Sequence, residues 1–358
     1  MHMADALLSP TVGVTLWAIS ATVLSSCARR VQQGDQDHLV PLMGVLGAFV
    51  FAAQMINFTI PGTGSSGHIG GGLLLSILVG PHAAFVIIAS VLTVQALFFA
   101  DGGLLALGAN ILNLGLFPCF VGYLMVYRPL VGAAPLQVSS RRIGWATLLA
   151  AVIGLQLGAL GVVLETSFSG ISNLPTGTFL LLMQPIHVAI GIVEGLATAV
   201  VILFVRRARP ELFLVDACSI SMQRPSFRRS TKPLLLALFT TAALTASVLS
   251  WFASSQPDGL EWSVAHASEG VTQRQPASTL HAMMADAQQR FAWLADYKRS
   301  VALLPAISAN AESVDATIQK DGPAVDGRGS LAGLLGAVAT LLLVLGIGCA
   351  LRGRRSKP

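Results

Sequence analysis

The sequence has little charge. Asp, Glu, Lys and Arg together supply only 11% of its 358 residues. Lysine occurs four times, as Lys232, Lys298, Lys320 and Lys357. None of these follows a glycine, so the chain has no Gly-Lys-Ser/Thr phosphate loop and no ATPase of that type. Cysteine is as scarce: Cys27, Cys119, Cys218 and Cys349 show no CxxC spacing. They support neither a disulfide framework nor a thiolate metal site. A His-Glu-x-x-His stretch is missing, and with it the signature of a zinc-dependent hydrolase. Positive charge is also lacking ahead of the first apolar run, where Asp5 stands and the arginines come afterwards. Leu24-Ser25-Ser26-Cys27 is therefore read as part of an uncleaved helix, not as a lipoprotein cleavage box.

What the chain does have is apolar length. Hydrophobic residues make up 54% of it, the composition of a polytopic membrane protein. Runs of about 20 apolar residues, enough for a bilayer span, fall near 7–28, 39–57, 82–100, 103–127, 143–165, 184–205, 233–253 and 331–350, with a shorter, Gly-rich one at 68–80. The expected fold is an all-α polytopic membrane protein of about nine transmembrane helices, eight if the short run does not span.

Arginine placement gives this fold a direction. Arg29, Arg30, Arg128, Arg141, Arg142, Arg206, Arg207 and Arg209 fall on one side under nine spans, as do Arg352, Arg354 and Arg355. The loops near 58–67, 100–102 and 166–183 contain no Lys or Arg. The positive-inside rule then puts the N-terminus outside and the C-terminus inside, as expected for the bacterial cytoplasmic (inner) membrane. The net charge of +5 follows from that topology and implies no nucleic-acid partner.

Two stretches carry chemistry. Met1-His2 offers three closely spaced nitrogens: the α-amine, the His2 amide and the His2 imidazole. Tightly packed nitrogen donors suit planar Ni(II) or Cu(II), and less strictly Co(II). The second stretch, Asn57 to Gly72, is broken by Pro61 and six glycines, and glycine lets backbone bend close to a ligand. It holds His68 on the same outer side as Met1, where His68 can supply a fourth nitrogen. Asn57, at its start, is a secondary candidate. So are His187 and Glu194, seven apart on one face of the seventh apolar run, where intramembrane ionisable residues point to function or to a buried partner. Pro81-His82 falls at the opposite end and reads as interfacial. Asn110 and Asn113 read as helix-to-helix contacts.

These residues resemble a known family. The Met-His start with Asp5 and Leu8-Ser9-Pro10, the Gly62-Thr63-Gly64-Ser65-Ser66-Gly67-His68-Ile69-Gly70-Gly71 loop, Phe99-Ala100-Asp101-Gly102-Gly103 with Leu107-Gly108-Ala109-Asn110, and His187 through Glu194-Gly195 are similar to the substrate-binding component of cobalt/nickel energy-coupling-factor (ECF) transporters. The resemblance covers about 1–205. The last third, with Pro257-Asp258-Gly259-Leu260-Glu261 between two spans, resembles the small auxiliary membrane subunit of these systems, fused to the same chain. The resemblance implies a seven-helix metal-binding part over 1–205, a basic cytoplasmic linker at 206–232, and a two-helix auxiliary part at 233–358 with an outer loop at 254–330. It implies Met1, His2 and His68 as the metal site, Ni2+ or Co2+ as substrate, and as partners a transmembrane coupling subunit and cytoplasmic ATPases. Ala4 and Ala6 depart from the Pro and Gly usual at the family's start, and His82 from the more usual tryptophan.

The competing readings are a proton-coupled secondary metal carrier using His187 and Glu194, and an intramembrane metalloenzyme.

Overall fold

A computed structural model describes residues 1–34, 39–132, 134–213, 232–268, 278–297 and 327–353. Six helices in it are long and apolar enough to cross a membrane: α1 (Pro10–Gln33), α4 (Pro81–Phe99), α5 (Leu107–Val131), α6 (Ser140–Ser169), α7 (Thr176–Ala208) and α11 (Gly327–Gly353). Two apolar helices are shorter, α2 (Val40–Gln54) and α8 (Lys232–Ser247). The all-α membrane architecture expected from composition is the one observed.

Local chemistry sets the helix ends. Ser9 caps α1, accepting the Val12 N–H, with Pro10 in the first turn, where its missing N–H costs nothing. Arg30 in the last turn of α1, and Arg206 and Arg207 in that of α7, place cations against the negative helix C-termini. Within α5, Pro118 lies in a stretch of wide, π-type turns over Leu112–Tyr127, where its absent donor fits an altered hydrogen-bond register.

Small residues let the helices approach closely, the main route to packing where lipid offers no hydrophobic drive. A Cβ on Gly108 would lie 2.5 Å from the Trp17 backbone of α1. A Cβ on Gly191 or Gly195 of α7 would lie 2.8 Å or 2.7 Å from the Val152 or Leu148 backbone of α6. The C-terminal helix α11 packs on α2 in the same way: Gly44 meets Leu345 and Gly336 seats the Phe51 ring. The last third of the chain is thus joined to the first bundle within the apolar layer.

The third apolar run departs from a full span. Only Gly72–Val79 is helical (α3), about 12 Å of rise. Before it, β1 (Phe58–Ile60) and β2 (Ser65–Gly67) form a hairpin pairing Phe58 with Gly67. The chain then descends through His68–Gly71. Gly71 (φ +79°) and Gly80 (φ +82°) make the bends before and after α3, in a region favourable only to glycine. The physical reason is local: backbone away from helix geometry needs partners inside the protein, and α7 supplies them. The Glu194 carboxylate accepts the Gly70 N–H (2.9 Å) and the Gly71 N–H (3.0 Å), while Gln54 Nε2 donates to the Gly70 carbonyl (2.7 Å). The crossing is shared between a descending loop and a short helix.

The basic stretch 206–232 is described only to Phe213 and from Lys232, and residues 269–277 and 298–326 of the expected outer loop lie outside the described part of the chain.

Replacing Glu194 by alanine strands two buried N–H groups, each worth on the order of 1–3 kcal/mol. Thermal unfolding in detergent should show Glu194→Ala several degrees less stable than the parent. An unchanged midpoint would remove the anchoring role assigned to this carboxylate.

Candidate metal centre

The first eight residues are folded into the bundle. Met1, Met3 and Leu8 are buried, Met3 and Leu8 completely. Asn110 of α5 holds Met3 from both sides, its Oδ1 accepting the Met3 N–H (2.7 Å) and its Nδ2 donating to the Met3 carbonyl (3.2 Å). Gly103 N–H donates to the same carbonyl (2.9 Å), and Asp5 Oδ1 accepts the Ala106 N–H (2.8 Å). Asn110 thus binds the N-terminal backbone instead of a neighbouring helix. Asn113 does join helices, donating to Glu165 of α6 (2.7 Å).

This seat brings His2 and His68 together. Their rings stack with centroids 5.0 Å apart and planes 18° from parallel. His68 Nδ1 faces the Ile69 carbonyl (3.2 Å), and His2 Nδ1 faces Asp101 Oδ1 (3.2 Å). Both Nε2 atoms are buried without a hydrogen bond of standard geometry, and the Gln95 amide lies close enough to His2 to interact with its ring. Burial lowers the pKa of the His2 ring, outweighing the attraction of Asp101. The His2 imidazole is accordingly neutral at physiological pH, the form that binds metal.

The α-amine of Met1 lies 3.3 Å from Asp258 Oδ2. Burial acts to raise the Asp258 pKa. The Met1 ammonium and the Glu261 N–H outweigh it and hold the carboxyl below the usual carboxylate range. A cavity of about 1130 Å3 opens over these groups, lined among others by His2, Asn57, His68, Asp101 and Asp258. Asn57 itself stands at the margin, its carbonyl accepting the Ser254 N–H (2.7 Å).

The other candidates separate by depth. His187 is fully buried, its Nδ1 donating to the Met183 carbonyl (2.7 Å) and its Nε2 unpartnered. It borders a void of about 10 Å3 that Met1, His68 and Asp258 also line. Glu194 is committed to Gly70 and Gly71. His82 lies at the far end of α4, 3.7 Å from Cys27 Sγ and against the Phe120 ring. Among the described residues, no three His, Cys, Asp or Glu side chains are placed to hold a metal ion.

Asp101 and Asp258 line the centre and are absent from the sequence-based candidates. Asp101 reads as a turn residue, and Asp258 as the opening of a loop. The signal for Asp258 was its Asp-x-x-Glu capping box, formed with Glu261 at the start of α9 (Gly259–Ala267); the amine partner 257 residues away leaves no local trace. Helix α10 (Thr279–Phe291) docks on the N-terminal stretch, with His281 Nε2 donating to the Leu8 carbonyl (2.9 Å) and Gln288 to the Gly102 carbonyl (2.7 Å).

A bundle of apolar helices closing over a buried, nitrogen-rich pocket at one end is an integral membrane transport component. The chain belongs to the family described as the cobalt uptake substrate-specific transmembrane region, which matches residues 2–212, and carries a PDGLE domain over residues 232–353. It is a cobalt/nickel transport component with a fused auxiliary part. A putative metal transport protein of Haloquadratum walsbyi is 35% identical over 214 residues, covering 59% of this chain and 93% of that protein. A probable fused nickel transport protein, LarMN of Lactiplantibacillus plantarum, is 31% identical over 286 residues, 76% of this chain and 81% of the relative. A crystal structure described as a transition metal transporter superposes with a TM-score of 0.52 at 28% identity, covering 62% of this chain and 100% of that one.

A Cβ at Gly103 would overlap the Asp5 carboxylate. Gly103→Ala should therefore unseat residues 1–8, and labelling of the Met1 amine by an amine-reactive reagent should speed up at least several-fold. Equal labelling rates would show that the seat does not depend on this contact.

Proposed function

We propose that this chain captures Ni2+, or Co2+, from the outer side of the bacterial cytoplasmic membrane as the substrate-binding component of an ATP-driven ECF importer. The donors are the Met1 amine, the His2 amide nitrogen, the His2 imidazole and the His68 imidazole, four nitrogens in a plane. The observation that carries this reading is the meeting of His2 and His68, whose rings stack with centroids 5.0 Å apart beside a buried Met1, with the His68 Nε2 buried and unpartnered. Chelation through the His2 amide and ring closes through Nδ1, so capture requires the His2 ring to turn Nδ1 away from Asp101. The square arrangement favours nickel, as does the likeness to relatives named as fused nickel transport proteins. The coupling subunit and the ATPases are separate chains in this reading, and residues 206–232 link the metal-binding part to the auxiliary one.

Topology supports outer capture. Arg29, Arg30, Arg128, Arg141, Arg142, Arg206 and Arg207 sit at the helix ends opposite the pocket, which the positive-inside rule assigns to the cytoplasm. A proton-coupled carrier would need Glu194 free to exchange protons, whereas both its oxygens accept backbone N–H groups.

The test is Ni2+ calorimetry on the full chain, with the N-terminus sequenced first to establish that Met1 begins it. Inserting one alanine between Met1 and His2 should abolish tight binding. His68→Ala should do the same and His82→Ala should not; equal losses from the two would place the metal elsewhere. Affinity should also fall as pH drops from about 8 to about 6, because capture displaces protons from the donors. An affinity independent of pH would exclude the amine and amide as donors.

A further inference from the structure

The pocket is built by both parts of the chain. Ser66, two residues before His68, is bridged to the C-terminal part: its N–H donates to the Pro257 carbonyl (2.8 Å) and its hydroxyl to the Gln256 carbonyl (2.8 Å). Ser66 and Asp258 thereby pair as in a parallel bridge, which sets Asp258 beside the strand that leads into His68. Each residue of the Pro-Asp-Gly-Leu-Glu box has a place in this contact. Pro257 gives its carbonyl. Asp258 Oδ1 caps α9 by accepting the Glu261 N–H (2.7 Å), which leaves Oδ2 for the Met1 amine. A Cβ on Gly259 would stand 2.5 Å from Ile186 Cγ2 and 3.4 Å from His187 Cε1, so glycine is what lets the box come this deep. Leu260 is buried, and Glu261 returns its carboxylate to the Asp258 N–H (3.3 Å).

We propose that Asp258, contributed by the auxiliary part, is the charge partner of the metal site and positions the amine that binds the ion. The inference rests on the reading that the metal sits among Met1, His2 and His68. A divalent cation held by neutral imidazoles and an amine keeps its full charge, and a deprotonated amide removes only one unit of it. Leaving that excess buried and uncompensated is costly. The Asp258 carboxylate stands against one donor atom and Asp101 against the His2 ring, one carboxylate from each part of the chain. Groups that orient and balance metal ligands in this way change affinity by about 10–100-fold when removed.

The experiment uses the full chain with an authentic N-terminus and Ni2+ alone, comparing Asp258→Asn, Asp258→Ser and Asp258→Ala by calorimetry. Asn and Ser both cap a helix and Ala does not, so the three separate charge from capping. All three should weaken binding about 10–100-fold. If only Asp258→Ala weakens it, Asp258 acts as a cap and the proposal falls. If Asp258→Asn binds as tightly as the parent, or more tightly, the carboxylate is dispensable or competes with the metal for the amine, and the proposal also falls. His68→Ala run in parallel separates the two levels. Unchanged binding in that variant overturns the site itself, whereas loss there with parental binding in Asp258→Asn overturns only the role of Asp258.

Discussion

The two hydrogen bonds between the Asn110 side chain and the Met3 backbone hold the N-terminal stretch inside the bundle. Extended backbone carries donors and acceptors that its own segment cannot satisfy, and in an apolar layer each unmet group costs several kcal/mol. Asn110, Gly103 and Asp5 meet these needs within a few residues, and His281 adds a donor from the C-terminal part. Met1 and His2 inherit their positions from that arrangement. An amide side chain is suited to the task because it donates and accepts at once, as a backbone partner strand would.

A second irregular stretch meets the first. The loop His68–Gly71 lies where a regular helix would have satisfied its own polar groups, and Glu194 and Gln54 replace those bonds. The chain gains a histidine held at depth with one ring nitrogen free. His187 and Glu194 share α7 but divide in role: Glu194 anchors the loop, and His187 underlies the void beside Met1.

Much of this was legible in the residues. Low charge and long apolar runs define the helical membrane class, because spanning a bilayer demands them. His2 and His68 stood out because imidazoles beside a chain start and in a glycine loop have few structural reasons to be there. The short third run was ambiguous for a physical cause: hydropathy measures apolar length, whereas Gly71 and Gly80 decide by backbone angle where α3 begins and ends. Asn110 looked like helix glue since composition does not distinguish a helix neighbour from an inserted strand. Asp101 and Asp258 were hidden because their partners are distant in sequence, and a capping box looks the same whether or not its second oxygen faces an amine.

The bridge between Ser66 and the segment at Gln256–Asp258 is small, a few hydrogen bonds at the rim of a hairpin. As an encounter between two separate proteins it would be a weak association. Here the segment hangs between α8 and α11, and α11 is packed on α2. Tethering makes the encounter intramolecular, with an effective concentration in the millimolar range for a short flexible connection. The partners cannot diffuse apart, so a contact too slight to sustain a complex between separate chains is enough to hold Asp258 beside the Met1 amine.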